Sequence, residues 1–397
     1  LKMISNKMEP LVKNSSVIRA MFEEGAKMKA KYGEDKVFDF SLGNPNVPAP
    51  IEVKEAIIDI VENEDPVKVH GYMNNAGFEG TRSAIANHLN RLHGTKLSAK
   101  NIIMVVGAGS ALNVSLKTML NPGDEVLTFA PYFVEYGNYA ANYDAKLVVV
   151  PPNEKDFMPD VEAMKDRITP RTKAVIINNP HNPTGVIYGE NIIKSIATAL
   201  EEKQRELESV IYLIVDEPYR ELVYVDKTVP YVTKYYDNTI VAYSYSKSLS
   251  LPGERIGYIV IPDESDESDE FIAAATIANR VSGCVNAPSL MQLVIERCVD
   301  AEADVEFYRR NGEILYNGLT EAGFECLKPE GAFYLWMKSP IADDKKFVAK
   351  AKEYNILMVP GSSFAGPGYV RLAYCVSRET CQNSIEKFKE LAKEYDL

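Results

Sequence analysis

Between residues 102 and 261 short apolar runs alternate with helical segments, and no other feature narrows the possible folds as much. The runs are 102–106, 126–129, 147–150, 174–178, 210–215, 240–243 and 256–261. Strands separated by helices imply right-handed crossovers and a largely parallel sheet covered by helices. Sheets of that kind bind ligands outside the carboxyl ends of their strands. Gly107, Asn182, Asp216 and Lys247 each fall just after such a run, so the pattern predicts one site that they share.

The flanks read differently. Residues 1–33 suggest an extended arm followed by a helix, capped at Ser15 or Ser16 and with Val17, Ile18, Met21 and Phe22 on its apolar face. A short strand over 37–42 is expected to break at Gly43-Asn-Pro, and helices are expected over 51–62 and 78–92. Pro131-Tyr-Phe133 is expected to begin a helix. The acidic repeat over 263–270 reads as a solvated loop leading into a helix over 271–281. Beyond 287 come long helices, two strands over 332–337 and 369–374, and a terminal helix from about Arg378. The expected fold class is α/β: a large domain with a mostly parallel central sheet, and a smaller α+β domain formed by both chain ends. The expected division is 1–50 for the arm and part of the small domain, 51–286 for the large cofactor-binding domain, and 287–397 for the C-terminal small domain.

Composition removes several function classes. The formal net charge of -12 disfavours nucleic acid as a main partner, because phosphate binding needs a basic face. Five cysteines without a C-x-x-C, and four histidines without metal-ligand spacing, suggest neither a disulfide framework nor a metal site. His88 and His93 are expected near a helix surface, and His181 in a loop. The odd cysteine count fits a reducing, cytoplasmic setting, and no apolar run approaches the length of a membrane span.

The chemistry concentrates around Ser244-Tyr-Ser-Lys247 and the turn Pro252-Gly-Glu-Arg255. Ser244, Ser246 and Arg255 offer hydroxyls and a guanidinium fork, groups that grip a phosphate. A lysine beside them is placed to form a Schiff base with a phosphorylated aldehyde cofactor. Asp216, in Asp216-Glu-Pro-Tyr219, taken alone is as readily a turn former. Beside Lys247, it is an acid able to hold a proton on a pyridine nitrogen. Tyr219 and Asn182, the latter in Asn179-Pro-His-Asn-Pro-Thr-Gly185, have the donors to bind a phenolic oxygen on the same ring. Gly107-Ala-Gly109 does not complete a dinucleotide fingerprint, because Leu112 stands where the third glycine belongs. A small-residue turn opening a helix still suits one phosphate. Phe133 is either core or a stacking ring. Arg371, inside an apolar strand, needs a partner, either a structural carboxylate or a bound one.

These motifs together resemble the fold type I, class I/II aminotransferases, which use pyridoxal 5′-phosphate. The lysine segment through Gly257 carries the resemblance most specifically, and Pro360-Gly361 followed by Arg371 completes it. The resemblance implies that Lys247 binds the cofactor aldehyde and later carries the substrate α-proton. Asp216 would pair with the ring nitrogen, and Tyr219 and Asn182 would contact the ring hydroxyl. Ser244, Ser246, Arg255, Ala108 and Gly109 would hold the phosphate together with Ser110. Phe133 would stack on the ring. Arg371 and Gly43 would bind the substrate carboxylate beside Phe133 and Asn182. Tyr72 would reach the partner subunit's cofactor phosphate, giving a homodimer with composite active sites.

The implied activity is a ping-pong transfer of an amino group from an L-amino acid to a 2-oxo acid such as 2-oxoglutarate. Aspartate or glutamate is the first expectation for the donor, with an aromatic or broad preference as the variant. Some acid-specific relatives place a lysine where this chain has Gly109. Others use a neighbouring subunit's arginine, and Arg280 lies near that region. Two other functions share the scaffold: a cystathionine-type C–S β-lyase and a cofactor-binding regulator. Arg255 with Pro252-Gly253 favours the transferase over the lyase, and the acidic chain lacks a basic module for the regulator.

Overall fold

The computed structural model describes residues 3–13 and 17–397. The expected caps Ser15 and Ser16, and the side chains of Val17, Ile18 and Phe22, lie outside the described residues. Seven strands form the central sheet in the order Ile102–Val105, Gly257–Val260, Thr239–Ser244, Tyr212–Asp216, Thr172–Asn178, Glu125–Phe129, Lys146–Val150. From Thr239–Ser244 to Lys146–Val150 every pairing is parallel. Gly257–Val260 runs antiparallel to both neighbours. The connection leading into it is too short to cross over with a packed helix, so the chain turns back beside the strand it has just left.

Alternate residues of these strands pack on the two faces of the sheet. Ile176, Ile214, Ile240 and Ile259 pack against Ala111, Leu112 and Val114 of the helix Ala108–Met119 on one face. Opposite them, Val175, Leu213 and Val215 meet the helix Glu190–Leu207, and Met104, Val241 and Val260 meet the helices Glu79–His93 and Ser289–Cys298. With both faces covered, the sheet can expose function only at its strand ends.

The second core draws on both ends of the chain. A four-stranded antiparallel sheet runs Val359–Pro360, Tyr369–Ala373, Tyr334–Lys338, Cys326–Leu327. Phe38–Asp39 pairs in parallel with Ile356–Leu357. Phe40 is fully buried with Phe333, Leu372 and Phe388, beneath the helices Val305–Glu321 and Arg378–Lys393.

Several expectations need correction. The first strand is only Phe38–Asp39, because the carbonyls of Ser41, Leu42 and Gly43 are taken by the side chains of Arg371, Cys375 and Lys247 rather than by a neighbouring strand. The arm is not simply extended, since Met8–Lys13 is helical. Pro131-Tyr-Phe133 stays a loop, tied by Tyr132 N–H to the Phe364 carbonyl at 2.9 Å, and the helix starts at Glu135. The acidic repeat is pinned rather than merely solvated. Lys100 bridges Asp263 and Asp269, and Asp266 pairs with Asn238, so the helix begins at Ser268. His93 is half-buried and stacks on Tyr231 at 4.3 Å, and burial together with nearby Arg220 pushes its imidazole down to about 4. Among the described residues no helix is long and apolar enough to cross a membrane.

Candidate active site

The carboxyl ends of the central strands open into a cavity of about 350 Å³ that also meets the second core. Its walls include Gly43, Ala108, Gly109, Phe133, Asn182, Asp216, Tyr219, Ser244, Ser246, Lys247, Arg255 and Arg371, all of them singled out above. Ser110 and Tyr72 do not line it. Ser110 sits one residue further into its helix, and Tyr72 is 91% exposed on the outer surface.

Asp216 ends its strand at the cavity floor and is buried. One carboxylate oxygen accepts from Tyr136 Oη at 2.6 Å, and the other has no partner. Burial pushes the carboxyl up to about 6 against the pull of the Tyr136 bond. An acceptor left unpaired at such depth is costly unless something supplies a proton to it.

Lys247 lies on the single turn Tyr245–Ser248, whose entry is capped by Ser244 Oγ accepting from Ser246 N–H at 3.2 Å. Its Nζ donates to the Gly43 carbonyl at 2.8 Å. Burial, reinforced by the charges of Arg371 and Arg255, pushes its ammonium down to about 8. A lysine so shifted supplies neutral amine near physiological pH, as a nucleophile or proton carrier requires.

At one end of the cavity the helix Ala108–Met119 presents its first backbone N–H groups, which have no intrahelical acceptors. Arg255 stands beside them, donating to the carbonyls of Val106 at 3.2 Å and Pro252 at 2.9 Å. Gly107, at φ 89°, is required here: a Cβ would stand 2.7 Å from the Arg255 guanidinium. The hydroxyls of Ser244 and Ser246, 2.6 Å apart, complete a cradle for an oxyanion.

At the other end, Arg371 is 3% exposed. It donates to Asn182 Oδ1 at 3.0 Å and to the Ser41 carbonyl at 2.9 Å, and its Nε has no partner. No carboxylate of the described residues pairs with it, so the structural ion pair left open by the sequence is absent there. Asn182 is fixed by its own N–H, which donates to Asn178 Oδ1 at 2.6 Å. Asn178 Nδ2 in turn donates to the Asp216 carbonyl at 2.8 Å. Tyr219 Oη lies 2.8 Å from Tyr334 Oη. His181 is buried in the same loop, 2.6 Å from Thr184 Oγ1.

Three polar cavity residues escaped the sequence reading, Tyr139, Asn178 and Tyr334, as did Tyr136, which is buried outside the cavity wall against Asp216. Tyr136 and Tyr139 follow Phe133 at three-residue steps, the spacing of one helix face, and that signal was available. Asn178 is the partner in register of Asp216. Tyr334 lies two residues from Trp336, which pairs with Arg371, and nothing local marks it.

The donor set fits pyridoxal 5′-phosphate. An unpaired buried carboxylate oxygen suits a protonated ring nitrogen, the helix terminus with Arg255 suits the phosphate, and an amine of lowered pKa suits the aldehyde. The family model for aminotransferases of class I and II matches residues 35–388. The chain belongs to this family. This aminotransferase is 31% identical over 355 residues to the aspartate/prephenate aminotransferase of Thermus thermophilus, covering 88% of this chain and 89% of that one. The crystal structure of an amino transferase from Eubacterium rectale superposes with a TM-score of 0.98 at 44% identity, over 100% of both chains. That of the Thermus thermophilus aspartate aminotransferase with maleate superposes at 0.87 with 26% identity, over 98% of this chain and 100% of that one. The aminotransferase therefore moves an amino group between an amino acid and a 2-oxo acid with pyridoxal 5′-phosphate as cofactor.

Proposed function

We propose that this aminotransferase takes aspartate or glutamate as donor and 2-oxoglutarate as acceptor, in a ping-pong cycle. The observation that carries the amino-acid part of this reading is the buried Arg371, whose guanidinium lacks a carboxylate among the described residues. A substrate α-carboxylate supplies that counter-charge, with the Gly43 backbone beside it. The cofactor, when bound, supplies a carbonyl to hold the amino group and a ring that accepts the electron pair left by the departing α-proton.

The chain's own residues do the rest. Asp216 keeps the ring nitrogen protonated. Lys247 holds the cofactor at rest and moves the α-proton during transfer. Tyr219 and Asn182 donate to the ring oxygen, and Phe133 stacks on the ring. Arg255, Ser244, Ser246 and the N–H groups of Ala108 and Gly109 anchor the phosphate. Ser110 contributes at most through its own N–H.

We further read the protein as a cytoplasmic homodimer with composite sites, in line with its five free cysteines. Tyr72, 91% exposed, and Val67, 80% exposed, are then covered by the second copy. For the large domain we extend the expected 51–286 to take in Ala287 and the helix Ser289–Cys298, which pack into the core of the helix Ile51–Asn63.

The acidic donor follows the naming of the Thermus thermophilus relative. A second reading has its own support: besides Lys247, Arg255 and Arg371, no cation among the described residues lines the cavity, and Leu42, Phe133 and Tyr334 are among its walls. An acidic side chain then depends on a cation from the second copy, for which Arg280 is the candidate, whereas an aromatic one does not. A half-reaction screen decides between them. Each amino acid is mixed with cofactor-loaded protein and the loss of cofactor absorbance is timed. Fast reaction with aspartate and glutamate supports the proposal. Fast reaction with phenylalanine and tyrosine alone overturns it in favour of the second reading.

A further inference from the structure

Tyr334 stands between the two halves of the site. Its hydroxyl is 2.8 Å from Tyr219 Oη, and both side chains are buried. The Arg371 guanidinium lies over its ring at 4.4 Å, with Phe364 at 4.7 Å from the same guanidinium. It also presses on the chain segment that takes the Lys247 ammonium: a Cβ at Gly43 would sit 2.3 Å from the Tyr334 hydroxyl. One side chain thus touches Tyr219, Arg371 and Gly43.

We propose that Tyr334 is a positioning residue that couples the ring-oxygen donor Tyr219 to the carboxylate clamp Arg371. The proposal rests on the roles given to Tyr219 and Arg371 above. When Tyr219 turns its proton toward an acceptor in the cavity, its oxygen needs a new donor, and the Tyr334 hydroxyl is within reach. Two hydroxyls in series donate more strongly than one alone. The ring does a separate job. It limits where the guanidinium can lie, and its π face favours the cation without competing for its N–H groups.

These two roles can be separated by substitution. Tyr334→Phe removes the hydroxyl and keeps the ring. Weaker donation to the ring oxygen leaves that oxygen more basic, so the pH midpoint of the cofactor absorbance change in the loaded enzyme moves upward by about 0.3 to 1 pH unit. The KM for the amino acid stays within about twofold, because the ring still supports Arg371. Tyr334→Leu removes both, giving the same spectral shift and a KM raised roughly tenfold.

Tyr219→Phe and Arg371→Lys serve as references. If Arg371→Lys leaves KM unchanged, or Tyr219→Phe leaves the midpoint unchanged, the roles assigned to those residues fail. If both references respond while Tyr334→Phe shifts no midpoint and Tyr334→Leu leaves KM alone, the roles stand and the coupling proposed for Tyr334 is overturned.

Discussion

Burial of Asp216 makes the stability of the cofactor-free protein depend on pH, and Asp216→Asn isolates that dependence. The carboxyl has an ordinary value of 3.8 and is pushed up to about 6 in the folded chain, burial outweighing the Tyr136 bond. Because the folded value is the higher one, the contribution is fully present below the unfolded value and is lost as pH rises through about 6. The displacement of about two pKa units corresponds to roughly 3 kcal/mol of destabilisation at neutral pH and above. Asparagine carries no charge to bury. Relative to the parent, the variant should therefore gain about 2 kcal/mol between about pH 4.5 and about pH 8. Urea unfolding of both cofactor-free proteins at equal protomer concentration measures the difference directly. Saturating cofactor should reverse the order at the higher pH, because only the carboxylate meets a protonated ring nitrogen with charge. A stability difference that stays flat across this range, without cofactor, would refute the reasoning.

Three further predictions use other parts of the site. The rate at which cofactor-free protein captures pyridoxal 5′-phosphate should rise with pH through a midpoint near 8 and level off above it, as Lys247 becomes neutral. Stopped-flow absorbance tests this, and a rate still climbing toward the ordinary lysine value of 10.5 would contradict the lowered pKa. Arg371→Lys should raise the KM for the amino acid by about 10- to 100-fold, since a forked donor to a carboxylate becomes a single point charge. Steady-state kinetics report it, and an unchanged KM would remove Arg371 from substrate binding. Gly257→Ala should destabilise the protein by about 3 kcal/mol or more, because a Cβ there would stand 2.2 Å from the Tyr243 carbonyl oxygen. Calorimetry would show the drop in Tm, and a variant as stable as the parent would mean that the backbone yields at this hairpin.

The central sheet was legible in the sequence because its strands are buried on both faces and so read as uninterrupted apolar runs. Site residues at strand ends were legible for the same reason: Asp216 and Lys247 are polar interruptions at places where the chain must turn. The Phe38–Asp39 strand was overread, since apolar character alone cannot tell a ladder strand from a segment whose carbonyls go to side chains. Tyr334 could not be found locally, because its significance comes from Tyr219, which lies 115 residues away. Tyr136 is a different case. It carries the only bond to the Asp216 carboxylate among the described residues, and helix spacing from Phe133 pointed to it.

The bond from Arg371 to the Ser41 carbonyl joins residues 330 positions apart. During synthesis the segment around Phe40 leaves the ribosome long before its partners, Leu357 and Ala373, are made. The central sheet, with Lys247 and Asp216 in place, can assemble on a nascent chain that still cannot grip a substrate. The exposed Phe38 and Phe40 must meanwhile stay soluble without their core. A chain that stops short of residue 371 would thus keep the parts that hold the cofactor and lose the grip on the amino acid, so the enzyme becomes competent only when these two distant segments meet.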